Sequence, residues 1–193
     1  MFESDLFDRF SRVHPAAPVI IFGPAITLLF ASAFDEMAVA AIVAWAAGGY
    51  VFWTLSEYWI HRAIFHFEPE GGLGARFHWI VHGIHHDHPN DPLRLVMPPS
   101  VSIPLGLAFF AGFVAVLGTP TAYAFGAGFF AGYLAYDMTH YYLHHGRPTT
   151  RLGKLLRELH MRHHFKDDTK GYGISAPYWD FVFRTRIRRG SRE

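Results

Sequence analysis

The segment Phe77-His78-Trp79-Ile80-Val81-His82-Gly83-Ile84-His85-His86 carries four histidines in ten residues. On a helix, His82, His85 and His86 are spaced i, i+3, i+4 and share one face. Neutral imidazole is the commonest side-chain ligand of first-row transition metals. Three imidazoles on one face therefore look like one side of a metal cage. His160-Met161-Arg162-His163-His164 repeats that spacing, and His140 with His144 gives i, i+4. His61 and His66 lie five apart just upstream. Ten histidines in four clusters are too many for one tetrahedral zinc.

The chemistry can be narrowed by exclusion. There is no cysteine, so any metal is held by nitrogen and oxygen. The metalloprotease motif His-Glu-x-x-His does not occur. Carboxylate di-iron bundles need Glu-x-x-His, and no glutamate here has a histidine three residues on. Eight to ten imidazoles suffice for two metals of four or five ligands each, with an open position. Nitrogen donors suit iron, zinc, copper and nickel. An open, redox-active pair facing an apolar substrate suits oxygen chemistry.

Helices must position these clusters. The 193 residues are enough for one domain, and 51% are hydrophobic. Uncharged apolar runs cover Pro18 to Phe34, Val101 to Leu117 and Thr121 to Tyr136. A further run from Met37 to Trp53 continues to Ile60 with Glu57 inside it. Each is about long enough for a hydrocarbon core of about 30 Å. They lack the polar stripe of soluble helices. Asp35-Glu36 separates the first pair of runs and Gly118-Thr119-Pro120 the second, so the chain reads as two helical hairpins.

All seventeen Lys and Arg avoid the hairpin turns. The positive-inside rule then sets both termini and every histidine cluster on the cytoplasmic face. The expected fold is all-α: an integral membrane protein with four transmembrane helices in two hairpins and a cytoplasmic histidine-rich helical cap. Residues 1–17 form an interfacial segment, with Phe2, Leu6, Phe7 and Phe10 at helical spacing. Residues 18–60 form the first hairpin, 61–100 a His-rich connection, 101–145 the second hairpin, and 146–193 a His-rich tail. No cleavable signal peptide is expected. The basic stretch from Arg184 to Arg192 suits anionic headgroups rather than nucleic acid.

The runs Glu57-Tyr58-Trp59-Ile60-His61-Arg62-Ala63-Ile64-Phe65-His66, His82-Gly83-Ile84-His85-His86, Tyr136 to His144 and His160 to Phe165 resemble the sterol desaturase/fatty acid hydroxylase superfamily. Asp91 to Pro99 and Gly171-Tyr172-Gly173-Ile174-Ser175 resemble its fatty acid 2-hydroxylase branch. The likeness covers roughly Leu55 to Thr185. It implies a membrane di-metal oxygenase, an O2-dependent monooxygenase that hydroxylates carbon 2 of a long-chain acyl group, commonly in a sphingolipid. It implies two metal ions, taken to be iron, with zinc able to occupy the site in purified protein. The implied ligands are His61, His66, His82, His85, His86, His140, His144, His160, His163 and His164. His14, His78, His88 and His145 fall outside that set.

Ligating rings usually donate their other N–H to a carboxylate or carbonyl. Glu57, Asp137 and Asp180 are candidates for that role, or else for purely structural pairing, and His78 is the nearest additional histidine. Asp91 with Arg94 reads as a loop-fixing pair. No haem-binding cytochrome domain precedes the first apolar run, so electrons are expected from a separate cytochrome- or ferredoxin-type protein. Alternatives are a sterol or carotenoid hydroxylase or a desaturase with the same metal pair, or a non-catalytic membrane metal or haem protein.

Overall fold

The computed structural model describes residues 12–67 and 69–187, and all of its regular elements are helical. The expected interfacial helix of residues 1–17 lies mostly outside the described residues. So does the end of the basic tail, from 188 onward.

Helix α1 spans Ala17–Phe34, with Pro18 in its first turn, where a missing N–H costs nothing. Just ahead of this helix the exposed His14 accepts the Ala16 N–H at its Nδ1, at 3.1 Å. Helix α2 spans Val39–Ile60 and runs on into a π-helical turn, His61–Phe65. Helix α3, Gly72–His78, leads into a second π turn, Trp79–Gly83, and then into the short α4, Ile84–Asp87. Helix α5 spans Pro99–Leu117 and α6 spans Thr121–His145. Helix α7, Arg151–Phe165, starts at Thr150, whose side chain accepts the Gly153 N–H at 3.1 Å. Helix α8, Tyr178–Val182, closes the described chain.

Three helical stretches, Ala17–Phe34, Val39–Phe65 and Pro99–Leu117, are long and apolar enough to cross a membrane. Helix α6 has 25 residues, so its length is also sufficient at about 1.5 Å per residue. It is more polar, carrying Tyr133, Tyr136, Asp137, His140 and His144, all buried. The reason lies in its position. Helix α6 is central, with α1, α2 and α5 packed around it.

The α2–α6 contact is close because small residues line it. A Cβ on Gly128 would sit 1.9 Å from the Ala46 carbonyl oxygen, and one on Gly49 would sit 1.9 Å from that of Phe125. Buried Ala124, Gly128 and Gly132 repeat every four residues along α6, the spacing that lets apolar helices approach each other. Aromatic rings fill the space beside this seam. Phe129 meets Trp53 at 5.2 Å and Phe113 at 5.0 Å between ring centroids, both edge to face. Arg94 Nε donates to Asp91 Oδ2 at 3.0 Å, and Asp91 Oδ1 accepts the Leu93 N–H at 3.0 Å, so this pair does fix the loop ahead of α5.

Candidate metal centre

Local helix geometry delivers the histidines. Five residues is about 1.4 turns of an α-helix, which would point His61 and His66 apart. In the π turn the His66 N–H instead donates to the His61 carbonyl at 3.1 Å, an i→i+5 bond. The two rings then face each other at 4.9 Å. His140 and His144 come from the last turns of α6, and His160, His163 and His164 from the last turns of α7.

The ten rings fall into two groups of five. His61, His66, His82, His86 and His163 form the first, and His85, His140, His144, His160 and His164 the second. Within each group the candidate ligand atoms lie within 4.8 Å of one another, so each could hold a metal ion. The two His-x-x-His-His motifs are shared reciprocally. His82 and His86 join the first group while His85 crosses to the second. His160 and His164 join the second while His163 crosses to the first. On an ideal α-helix, at 100° per residue, His85 would lie about 60° to one side of His82 and His86 about 40° to the other; here His82 sits in the π turn, and His85 and His86 in α4. One helix edge thus serves two centres. The groups touch where His86 stacks on His164 at 4.2 Å.

The hydrogen bonds define the protonation pattern. His61 Nδ1 lies 2.7 Å from the Tyr172 carbonyl oxygen, and His163 Nδ1 lies 2.7 Å from that of Lys170. A carbonyl only accepts, so each Nδ1 carries the proton. In neutral imidazole the other nitrogen then presents a lone pair. Those lone pairs point into the first group. Nε2 of His61, His66 and His82 form a triangle with sides of 3.2, 3.2 and 3.3 Å, and His163 Nε2 lies 3.1 Å from His66 Nε2. Ligand atoms about 2.1 Å from one ion, at angles of 90–109°, are about 3.0–3.4 Å apart. The triangle matches that spacing. In the second group the Nε2 contacts are 2.7–3.1 Å, linking His144, His160, His164 and His85.

Burial and the neighbouring imidazoles keep the rings uncharged. His86 is held down at about 3, first by burial and then by His163 and His144. Burial followed by nearby histidines pushes His82, His85, His160 and His164 well below the usual range. Ten neutral donors crowded around two points fit a cation at each.

The carboxylates act at longer range. Glu57 Oε1 accepts the Ser175 N–H at 2.8 Å and its Oε2 accepts the Ser175 hydroxyl, which ties the tail to α2. Asp137 accepts from the Tyr133 hydroxyl at 3.1 Å within α6. Asp180 accepts the N–H groups of Tyr172 and Gly173 at 2.9 and 2.8 Å. His78 lines an open cavity of about 370 Å³ beside His66, His82 and His86 without joining the five. His145 packs on Tyr141 at 4.7 Å, outside both groups. The carbonyls of Lys170 and Tyr172 were not foreseen. Backbone acceptors carry no side-chain signature, and the only cue is the Gly-x-Gly run around Tyr172.

These features define the class: an all-helical protein with membrane-length apolar helices and two imidazole clusters, each able to hold a metal. Residues 46–185 match the description "Fatty acid hydroxylase". The dihydroceramide fatty acyl 2-hydroxylase FAH1 of Arabidopsis thaliana is 38% identical over 185 residues, covering 95% of this chain and 78% of that protein. The fatty acid 2-hydroxylase of Mus musculus is 36% identical over 97% of this chain and 56% of its own. Full-length scs7p, solved with only its hydroxylase domain visible, superposes with a TM-score of 0.92 at 31% identity, covering 97% of this chain and 72% of that one. The chain belongs to the fatty acid hydroxylase family.

Proposed function

We propose that this protein is a membrane di-metal oxygenase that hydroxylates carbon 2 of a long-chain fatty acyl group in a ceramide-type lipid. The observation that carries the reading is the convergence of ten histidines, five and five, from the ends of α2, α6 and α7 and from the π turn and α4 that carry His82, His85 and His86. Membership in the fatty acid hydroxylase family and the relatives named as fatty acyl 2-hydroxylases support it. The ten ligands are His61, His66, His82, His85, His86, His140, His144, His160, His163 and His164. They hold two ions, one per group, taken to be iron, and zinc accepts the same imidazole donors. When bound, such a pair supplies activation of O2.

The reaction consumes O2, two electrons and two protons. It converts one C–H bond to C–OH and releases one water. The electrons come from a separate cytochrome- or ferredoxin-type protein. The chain's own part is to keep the imidazoles neutral, orient them, and admit only the start of an acyl chain. A lipid whose polar head stays at the interface brings its early carbons to the level where the apolar helices end. Mid-chain carbons stay near the bilayer centre. Positioning rather than C–H reactivity then selects carbon 2.

The layout proposed with this reading has α1, α2, α5 and α6 crossing the membrane as two hairpins, residues 18–60 and 101–145. The connection 61–100 and the tail 146–193 form a cytoplasmic cap. The absence of Lys and Arg from both hairpin turns supports the orientation. Reporter fusions after Arg192 and near Asp35 should read opposite sides of the membrane, and a shared side would overturn the layout. Expressed with a suitable electron donor, the protein should add one oxygen atom to cellular ceramides, detected by lipid mass spectrometry. Loss of two hydrogens instead would make it a desaturase.

A further inference from the structure

The segment Lys170-Gly171-Tyr172-Gly173 lies against the first histidine group. Its carbonyls at 170 and 172 take Nδ1 of His163 and His61, each at 2.7 Å. Both can face the same way because Gly171 between them has φ +79°, a conformation that side chains rarely adopt. Gly173 is equally constrained, since a Cβ there would fall 2.4 Å from the Ala176 carbonyl oxygen.

Asp180, 3% exposed, holds this segment from behind. It accepts the N–H groups of Tyr172 and Gly173 at 2.9 and 2.8 Å and the Thr185 hydroxyl at 2.8 Å. The Thr185 carbonyl accepts the Gly171 N–H at 2.9 Å. The Thr185 hydroxyl, having donated to Asp180, accepts from the Tyr58 hydroxyl at 2.8 Å, and Arg62 Nη1 donates to that Tyr58 oxygen at 3.0 Å. Tyr58 and Arg62 flank His61 on its own helical turn. The clamp and the histidine it faces are thus anchored to each other twice.

The second group is framed differently. Nδ1 of His85, His160 and His164 are buried without a hydrogen-bond partner among the described residues. There the Pro89 carbonyl meets His144.

We infer that the segment 170–173, tied down by Asp180, is a backbone clamp that sets ring orientation and tautomer at the first metal site. Asp180 is its positioning residue, acting on His61 through the Tyr172 carbonyl. The two sites are therefore unequal in how they hold metal. This inference rests on the two-site reading above.

The test is a zinc(II) titration of the purified full chain against a competing chelator. Cobalt(II) absorption serves as a second, site-sensitive readout. Asp180→Asn keeps the volume but leaves one oxygen to serve two N–H groups. By loosening the carbonyl that orients His61, it should weaken one of two zinc sites by about tenfold or more and leave the other unchanged. Only part of the cobalt spectrum should shift. Thr185→Val cuts the link to Tyr58 while keeping the carboxylate, and should weaken the same site about tenfold. It carries the test if Asp180→Asn does not fold. Equal weakening of both sites, or unchanged titrations in folded variants, would overturn the clamp. Wild-type protein binding fewer than two zinc ions would overturn the two-site reading, and the clamp with it.

Discussion

Replacing His163 by alanine should empty one metal site, leave the other filled, and abolish hydroxylation. His163 sits beside His164 in α7, yet its ring belongs with His61, His66, His82 and His86. Its Nε2 is 3.1 Å from that of His66, and its Nδ1 is fastened to the Lys170 carbonyl. Removing it deletes a ligand whose tautomer is already set and opens that group to water. His85→Ala should do the mirror-image thing to the other group, although His85 adjoins His86 in the chain. Metal content measured by elemental analysis should fall from two ions per chain to about one in either variant. Adding His66→Ala to His163→Ala should cost no further metal, whereas combining His163→Ala with His85→Ala should remove both ions. His145→Ala, outside both groups, should change little. If His163→Ala and His164→Ala instead lost the same ion, the reciprocal sharing of the motifs would be wrong.

The second large effect concerns the scaffold. Gly128→Val should prevent α6 from seating against α2. A Cβ alone at that position would lie 1.9 Å from the Ala46 carbonyl oxygen, which is backbone and cannot swing aside. Apolar helices in lipid depend on such close approach for their attraction. Even Gly128→Ala should cost more than the roughly 1–3 kcal/mol of ordinary overpacking. Because α6 carries His140 and His144, separation of the helices should also release metal from the second group. The yield of detergent-stable, monodisperse protein would report this. Gly112→Ala, where an added Cβ meets nothing within 4 Å, is the matched control and should behave as wild type.

Much of this arrangement is legible in the residues. The apolar runs predict three of the long helices to within two residues at each end, because hydrophobicity without a polar stripe needs no tertiary information to recognise; the fourth starts at Thr121 as its run does but continues nine residues past Tyr136, to His145. The four histidine motifs name every residue of the two groups. Their partition is harder to read. Helical spacing puts His82, His85 and His86 on one face, and they do share it. Only the angular offsets within that face, together with the arrival of α7 from the opposite side, send His85 one way and His86 the other. The π turn at His61–Phe65 is likewise a product of packing, since a five-residue spacing alone favours no particular helix. The roles of the carboxylates are also tertiary. From the sequence, Glu57, Asp137 and Asp180 read equally as partners for ligating rings or as structural pairs. In the folded chain they brace the segments that bear on the site, and for His61 and His163 the partners are main-chain carbonyls. Polarity in α6, which sets it apart from the other three long helices, follows from its central position and from the second-group histidines, His140 and His144, near its end.

The most direct measurement is the position and origin of the oxygen in the lipid product. Cells expressing the chain with an electron donor would be supplied with isotopically labelled dioxygen, and their ceramides fragmented by mass spectrometry. The account predicts one labelled oxygen at carbon 2 of the acyl chain, absent when His85 or His163 is replaced by alanine. A labelled hydroxyl at mid-chain, a new double bond, or an oxygen derived from water would contradict it.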